Sequence, residues 1–236
     1  MRRPYGVIFD FGDTVLHLES LDTLAGNRRL LEFAEVNPGV TAEDVQAIVE
    51  EIGWMNRARE ESMIEFGCQS LQRLLYETLG VTFRVSYAEM EKEFWHTAVK
   101  YTPVAGIYEL LDTLEANGIR TGILSNTIFC SSVLEEELAR HNLAHRFSFV
   151  VTSADYCVRK PHRHIFRIAV RKMNLKPDDI WCVGDKLDYD IKGALDYGLY
   201  PVWYNWRNEE VTVEGDYLEI KDLYELRENI EQLYGC

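Results

Sequence analysis

Several short apolar runs in this chain end in side chains that could move a phosphoryl group. Asp10 closes the run Tyr5-Gly-Val-Ile-Phe9. Ser125 and Asn126 follow residues 120–124, Lys160 lies in the segment after residues 147–152, and Asp185 follows residues 180–183 and Gly184. A positioned carboxylate such as Asp10 can act as a nucleophile. The Ser125 hydroxyl is a neutral donor to phosphate oxygens, and the Lys160 ammonium is a compact cation for them. Asp185 can share a hard cation with Asp10, because Mg²⁺ takes oxygen ligands and keeps several waters. Ligands of an open parallel sheet bind beyond the carboxyl ends of its strands. The four positions therefore converge if the runs before them are parallel strands of one sheet.

The patterning supplies those strands. Residues 5–9 read as a buried parallel strand. From about Leu21 to Lys100 the pattern is helical only, with one apolar face built from Leu21, Leu24, Leu30, Leu31 and Phe33. Thr41-Ala-Glu-Asp44 and Ser86-Tyr-Ala-Glu89 resemble capping boxes, the first opening a helix through Ile48, Ile52 and Met55. With a further helix over 70–79, about four helices are predicted here, enough for a small bundle. After Pro103, helix and strand alternate. A helix over 107–117 is closed by Gly118, a natural residue just past a helix end. Strands are predicted at 120–124, 147–152, 180–183, 200–203 and 217–220. Between them come helices over 132–141, from Pro161 to Met173, and over 189–197, with Asp222 capping a last helix. Repeated βα units imply a parallel sheet with helices on both faces. The predicted fold is α/β: a Rossmann-like core from residues 1–16 and 101–236, with an inserted all-helical domain at 17–100.

With 236 residues the chain can form one medium domain or a core carrying an insert. Its net charge of −14, with no long Lys/Arg run, argues against nucleic acid as a partner and against anionic membrane surfaces. A phosphorylated substrate would then rely on a local cation. The five cysteines (Cys68, Cys130, Cys157, Cys182 and Cys236) are odd in number and form no CxxC pair, so they read as reduced thiols, Cys182 as a core residue. No apolar run approaches a membrane span, and the N-terminus enters its first strand without a signal-peptide core. A cytoplasmic monomer or homodimer is expected.

Asp10-Phe-Gly-Asp-Thr14, Leu124-Ser-Asn126, Arg159-Lys-Pro161 and Gly184-Asp-Lys-Leu-Asp-Tyr-Asp190 resemble, in order, the four motifs of the haloacid dehalogenase superfamily. Pro103-Val-Ala-Gly106 and Lys192-Gly-Ala194 are similar to that family as well, so the resemblance spans nearly the whole chain. The insertion after the first motif resembles the family's C1 cap. The resemblance implies that Asp10 attacks phosphorus to form an aspartyl-phosphate, which water hydrolyses. It implies Mg²⁺ on Asp10, Asp185 and the backbone carbonyl of Gly12. Ser125, Asn126 and Lys160 would hold the transferring oxygens, and Asp190 would orient Lys160 or a metal-bound water. The implied substrate is a small phosphorylated metabolite.

One position departs from the pattern. Phosphatases of the family carry a second Asp two residues after the nucleophile, which protonates the leaving group and later activates water; here that position is Gly12. The backbone carbonyl survives the change, but the proton-transfer carboxylate does not. General acid–base catalysis is worth ~10²–10⁴-fold, so slow turnover is expected, or a preference for good leaving groups such as acyl and aryl phosphates. Asp13, one residue along the turn, should point elsewhere. Two alternatives follow. One is a non-catalytic phosphate- and metal-binding regulatory protein. The other is a 2-haloacid dehalogenase, disfavoured because an unneutralised Asp185 would repel a haloacid carboxylate. Arg57 and Arg59 read as a solvated helix face and Asp188 as a helix-terminal carboxylate. Trp203, Tyr204 and Trp206 fall near the active-site rim or pack against the last helix.

Overall fold

Gly6–Phe9 forms strand β1 of the computed structural model, which describes residues 2–235. There follow β2 (Leu16–Leu21), α1 (Thr23–Leu31), β3 (Ala34–Val36), α2 (Ala42–Glu51), α3 (Trp54–Ser62), α4 (Cys68–Thr78), β4 (Thr82–Phe83), α5 (Tyr87–Ala98) and β5 (Val99–Pro103). The remainder runs α6 (Ile107–Ala116), β6 (Arg120–Ser125), α7 (Ser131–Arg140), β7 (Val150–Thr152), α8 (Ser153–Tyr156), α9 (Arg163–Met173), β8 (Ile180–Gly184), α10 (Lys192–Tyr197), β9 (Tyr200–Tyr204), β10 (Leu218–Ile220) and α11 (Leu223–Tyr234).

Six strands pair in the order β10-β9-β8-β1-β6-β7, every pair parallel. The path leaves β1 for β6 and β7 on one side and returns to β8, β9 and β10 on the other. The order therefore reverses at β1, the place where such sheets open a crevice. Register brings the strand ends level, since Phe9 lies opposite both Ile123 and Val183.

Strand alternation divides the core. Val7, Phe9, Ile123, Trp181 and Val183 pack with Leu110, Leu134 and Leu226 of α6, α7 and α11. Their neighbours Ile8, Leu124 and Cys182 turn to the opposite face, against Ile165, Phe166 and Ala169 of α9. Both faces of the central strands are covered, which is why their sequences are continuously apolar. Each fully buried large side chain contributes about 1.5–3 kcal/mol by transfer from water, so the strand ends project from a stiff base. The helices between β1 and β6 have a core of their own, built on Leu30, Val45, Leu75, Tyr76, Val81 and Met90. Both capping boxes form, Thr41 with Asp44 and Ser86 with Glu89, and Asp222 caps α11.

Four local expectations change. The helix expected through Ile48, Ile52 and Met55 breaks at Ile52 and Gly53 into α2 and α3, because glycine is a poor helix former. The helices-only stretch also holds a ribbon, β2 with β5, and a short pair, β3 with β4, both antiparallel. Strands as short as Thr82–Phe83 carry too few residues for a two-residue period to register. Pro161 does not begin a helix: the Lys160–Pro161 peptide is cis, and α9 starts at Arg163 after the capping residue His162. The helix expected over 189–197 begins as a wider turn at Leu187–Ile191, with the Ile191 amide reaching the Lys186 carbonyl five residues back (3.4 Å), before α10 takes over. Such turns occur often at functional sites. Among the described residues no helix is long and apolar enough to cross a membrane.

Candidate active site

Asp10 continues β1, its backbone amide donating to the Val183 carbonyl at 2.8 Å, and its side chain turns into a cavity of about 260 Å³. Ser125, Lys160, Asp185 and Asp190 line the same cavity. The ammonium of Lys160 donates to Asp10 Oδ1 at 2.6 Å and to Asp190 Oδ1 at 2.5 Å. Lys160 is only 2% exposed, so its charge is matched by those carboxylates and little by water. The other Asp190 oxygen accepts from the Lys186 amide at 3.0 Å. Gly184 makes room for this arrangement: a Cβ there would lie 2.3–2.6 Å from the Asp190 carboxylate and its Cβ.

The Lys160 loop is held from the side. Asn126 Oδ1 accepts from the Lys160 amide at 2.7 Å, and Asn126 Nδ2 donates to the Lys160 carbonyl at 3.0 Å. Both ends of this side chain are thus engaged with the lysine backbone, so it positions Lys160. Ser125, the last residue of β6, is buried beside it.

Asp185 sits on the other flank. Its carbonyl accepts from the Trp203 indole at 3.2 Å, and its carboxylate from Arg207 at 2.6 Å. Lys186 Nζ is 3.0 Å from the same oxygen. Arg207 also donates to Asp13 Oδ2 at 2.8 Å while its guanidinium rests on the Trp206 ring. Asp13, in the left-handed region at φ 58°, is further engaged by His17 Nδ1 at 2.8 Å. Asp13, expected to point away, lines the same cavity as Asp10 and is held there by Arg207 and His17. Of the aromatic cluster, Trp203 supports Asp185 and Trp206 supports Arg207. Arg59 pairs with buried Glu65 at 3.2 Å, more enclosed than a solvated face implies, and Asp188 makes an exposed pair with Lys192.

Burial and crowding set the charges. Desolvation raises the Asp10 carboxyl to about 7, against the lowering pull of Lys160 and with help from Asp190 and Asp185. Asp190 is raised by burial too, again opposed by Lys160. Burial alone would lower Lys160, but the two carboxylates outweigh it and hold the ammonium above its usual range. Mutually perturbed, buried titratable groups in a cavity of this kind mark a candidate functional site.

The sequence profile of the haloacid dehalogenase-like hydrolases matches residues 7–203. The chain belongs to that family. A haloacid dehalogenase-like relative, the glyceraldehyde 3-phosphate phosphatase of Methanothermobacter thermautotrophicus, is 27% identical over 233 residues, covering 94% of this chain and 97% of its own. A pyrimidine 5′-nucleotidase of Escherichia coli is 24% identical, over 86% and 87% of the two chains. The crystal structure of a 2-haloacid dehalogenase from Pseudomonas syringae superposes with a TM-score of 0.68 over 98% of this chain and 99% of that one, at 20% identity. At that identity the last likeness speaks for the fold alone.

For a haloacid dehalogenase-like hydrolase the next question is whether a divalent cation fits. Asp10, Asp185 and Asp190 each offer an oxygen within 4.8 Å of the others, a donor set suited to a hard cation. The carboxylates of Asp10, Asp13, Asp185 and Asp190 gather here with the cations Lys160, Lys186 and Arg207, and with Arg159, which lines the same cavity. The residues fit the ion, with Arg207 as its competitor for Asp185. A hydrogen bond to a charged group is worth about 1.5–3 kcal/mol. Arg207→Gln is therefore expected to tighten Mg²⁺ binding about tenfold or more, read by calorimetric titration without substrate. Unchanged affinity would show that Arg207 does not compete.

Two residues of the site escaped the sequence reading. Arg207 follows β9 in a loop without periodicity, and only its neighbour Trp206 hinted at the rim. Tyr101 lines the cavity from β5, at the junction where the predicted helical insert gives way to the core, in a stretch with no periodicity to mark it.

Proposed function

We propose that the protein is a Mg²⁺-dependent phosphoric monoester hydrolase acting on a small phosphorylated metabolite through an aspartyl-phosphate on Asp10. The observation that carries this reading is the buried Asp10–Lys160–Asp190 cluster at the strand ends, facing Asp185. Asp10, Asp185 and the Gly12 carbonyl would hold Mg²⁺, which screens the carboxylates and polarises the phosphoryl oxygens. Asp10 attacks phosphorus. Lys160 and Ser125 hold the equatorial oxygens as charge redistributes, with Asp190 and Asn126 fixing the lysine. Water then releases phosphate and restores Asp10. The two phosphatase relatives and the modest cavity volume support a small substrate.

Residues 17–100 are read as the cap. Trp95 Nε1 donates to Glu137 and Ser153 Oγ to Glu65, both at 2.8 Å, so an opening that admits substrate must break these contacts. A cap that keeps one position with and without a phosphate analogue would contradict this.

Gly12 itself supplies no carboxylate to protonate a poor leaving group. A Cβ at this position meets only the Tyr101 hydroxyl, at an ordinary contact distance of 3.7 Å, so the first atom of an added side chain is accommodated. Gly12→Asp is expected to raise kcat on alkyl phosphates by about tenfold or more, measured by phosphate release. No gain would place the deficit outside proton transfer.

Two other readings have structural support. Gly12, which leaves position 12 without a proton-transfer carboxylate, favours a protein that binds phosphate and metal without turnover. The pairing at Asp185 removes an objection to dehalogenation, because Arg207 and Lys186 neutralise the carboxylate that was expected to repel a haloacid. The test is a panel with Mg²⁺ and with EDTA: glyceraldehyde 3-phosphate, a pyrimidine 5′-monophosphate, 4-nitrophenyl phosphate and 2-chloropropionate. Metal-dependent phosphate release supports the hydrolase. Chloride release indifferent to EDTA supports a dehalogenase, and tight binding of a phosphate mimic without release supports the binding protein.

A further inference from the structure

The bare backbone at Gly12 is overhung by one hydroxyl. An ideal Cβ built on Gly12 has a single neighbour within 4 Å, the Tyr101 phenol oxygen at 3.7 Å. The phenol thus stands within the sweep of a carboxylate carried by that Cβ. Tyr101 opens onto the same cavity as Asp10 and Lys160.

The ring is held firmly. It stacks on Trp95, with centroids 5.6 Å apart and planes 19° from parallel, and meets the edge of Phe11 at 5.4 Å. Trp95 is anchored through its indole N–H to Glu137 at 2.8 Å, which also pairs with Arg140 at 3.3 Å and lies 3.1 Å from His141 Nε2. The backbone of Tyr101 is fixed as well, paired with Leu18 in the β2–β5 ribbon. A hydroxyl on so braced a ring is aimed, which a flexible surface tyrosine is not.

We propose that Tyr101 is a catalytic residue that protonates the leaving oxygen and later takes a proton from the attacking water, in the place of a carboxylate at position 12. This rests on the hydrolase reading of the site. In the first step Asp10 bonds to phosphorus, the P–O bond to the leaving group breaks, and its electron pair accepts the Tyr101 proton, leaving the alcohol and a phenolate. In the second step water attacks the phosphoryl group and yields its proton to that phenolate. The P–O bond to Asp10 then breaks, restoring carboxylate and phenol and releasing phosphate. The sum is ester plus water to alcohol plus phosphate, with no other reactant.

Burial, then the charges of Asp10, Asp13 and Glu137, push the Tyr101 phenol above its ordinary range. It therefore stands as an O–H donor at neutral pH and gives up its proton only to a strongly basic leaving group such as an alkoxide. The acetate leaving acetyl phosphate needs none.

Tyr101→Phe keeps the stacked ring and removes only the hydroxyl. Phosphate release is measured for wild type and Tyr101→Phe with glycerol 3-phosphate and with acetyl phosphate, and again for Tyr101→Phe carrying Gly12→Asp. The expected result is a fall of ~10²-fold or more in kcat on glycerol 3-phosphate, at least about tenfold greater than any fall on acetyl phosphate, and recovery of the alkyl phosphate when Asp is supplied at position 12. Equal falls on both substrates, or none on the alkyl phosphate, overturn the role of Tyr101. So does a wild type that hydrolyses acetyl phosphate and not glycerol 3-phosphate, with the hydrolase reading left standing. A wild type that hydrolyses neither overturns the hydrolase reading and this inference together.

Discussion

Asp10→Asn is expected to abolish phosphate release, by at least ~10⁴-fold, while raising the melting temperature of the metal-free protein. The loss follows from removing the one atom that can attack phosphorus, because an amide oxygen does not form the acyl-phosphate ester. The gain follows from crowding: Asp10 lies within reach of Asp185 and Asp190 and shares Lys160 with the latter. Its carboxyl is raised to about 7 by burial from an ordinary 3.8, so the folded protein holds that proton more tightly than the unfolded chain does. By linkage, stability then falls as pH rises from about 4 to 7 and levels off above. The neutral amide escapes this fall. Asp10→Asn should therefore be the more stable protein above pH 7, by about 1–2 kcal/mol or roughly 2–8 °C, with the difference shrinking towards pH 4. Melting curves at pH 5 and pH 8 test the sign, and a variant that melts lower than wild type at pH 8 contradicts it.

Lys160→Met carries the largest expected cost to folding. Lys160 is the buried counter-charge to two carboxylates, bonded at 2.6 and 2.5 Å. Removing one partner of a buried ion pair costs about 3–5 kcal/mol, because the remaining charge stays desolvated and unmatched. Here two acids remain, so one must take up a proton, and the loss should be greatest at high pH. Turnover should also drop by ~10²–10³-fold, the usual effect of losing one donor to transition-state oxygens. The clean measurement is a double-mutant cycle in denaturant. In the Asp10→Asn background Lys160 answers Asp190 alone, and Lys160→Met should cost clearly less there than in wild type. Identical costs would mean that Asp10 and Lys160 do not act as a unit.

Much of this site could be read before the fold was seen, for a physical reason. Parallel sheets put their ligand groups at strand ends, and Asp10, Ser125 and Asp185 each follow an apolar run long enough to recognise. Gly184 illustrates what a sequence leaves implicit: its residue type is visible, but the carboxylate it must accommodate, Asp190, comes from the next turn of chain. Asn126 shows a contact that residue type alone does not give: expected to face phosphate, it lines the cavity and also clasps the Lys160 backbone through both ends of its amide. Arg207 and Tyr101 were hidden because neither belongs to a strand end. One arrives from a loop after β9 and the other across the β2–β5 ribbon, and only tertiary contacts bring them to Asp185 and Gly12. The short β3–β4 pair and the break between α2 and α3 were lost to brevity, being too short to impose a period on the sequence.

The central claim is that Asp10 carries the phosphoryl group between substrate and water. It is tested by mixing the enzyme with 4-nitrophenyl phosphate and Mg²⁺, quenching in acid within a single turnover, and mapping the digested protein by mass spectrometry. A phosphoryl adduct is expected on the peptide containing Asp10, absent with EDTA and absent from Asp10→Asn. Turnover that persists in Asp10→Asn, or an adduct confined to another residue, would contradict the claim.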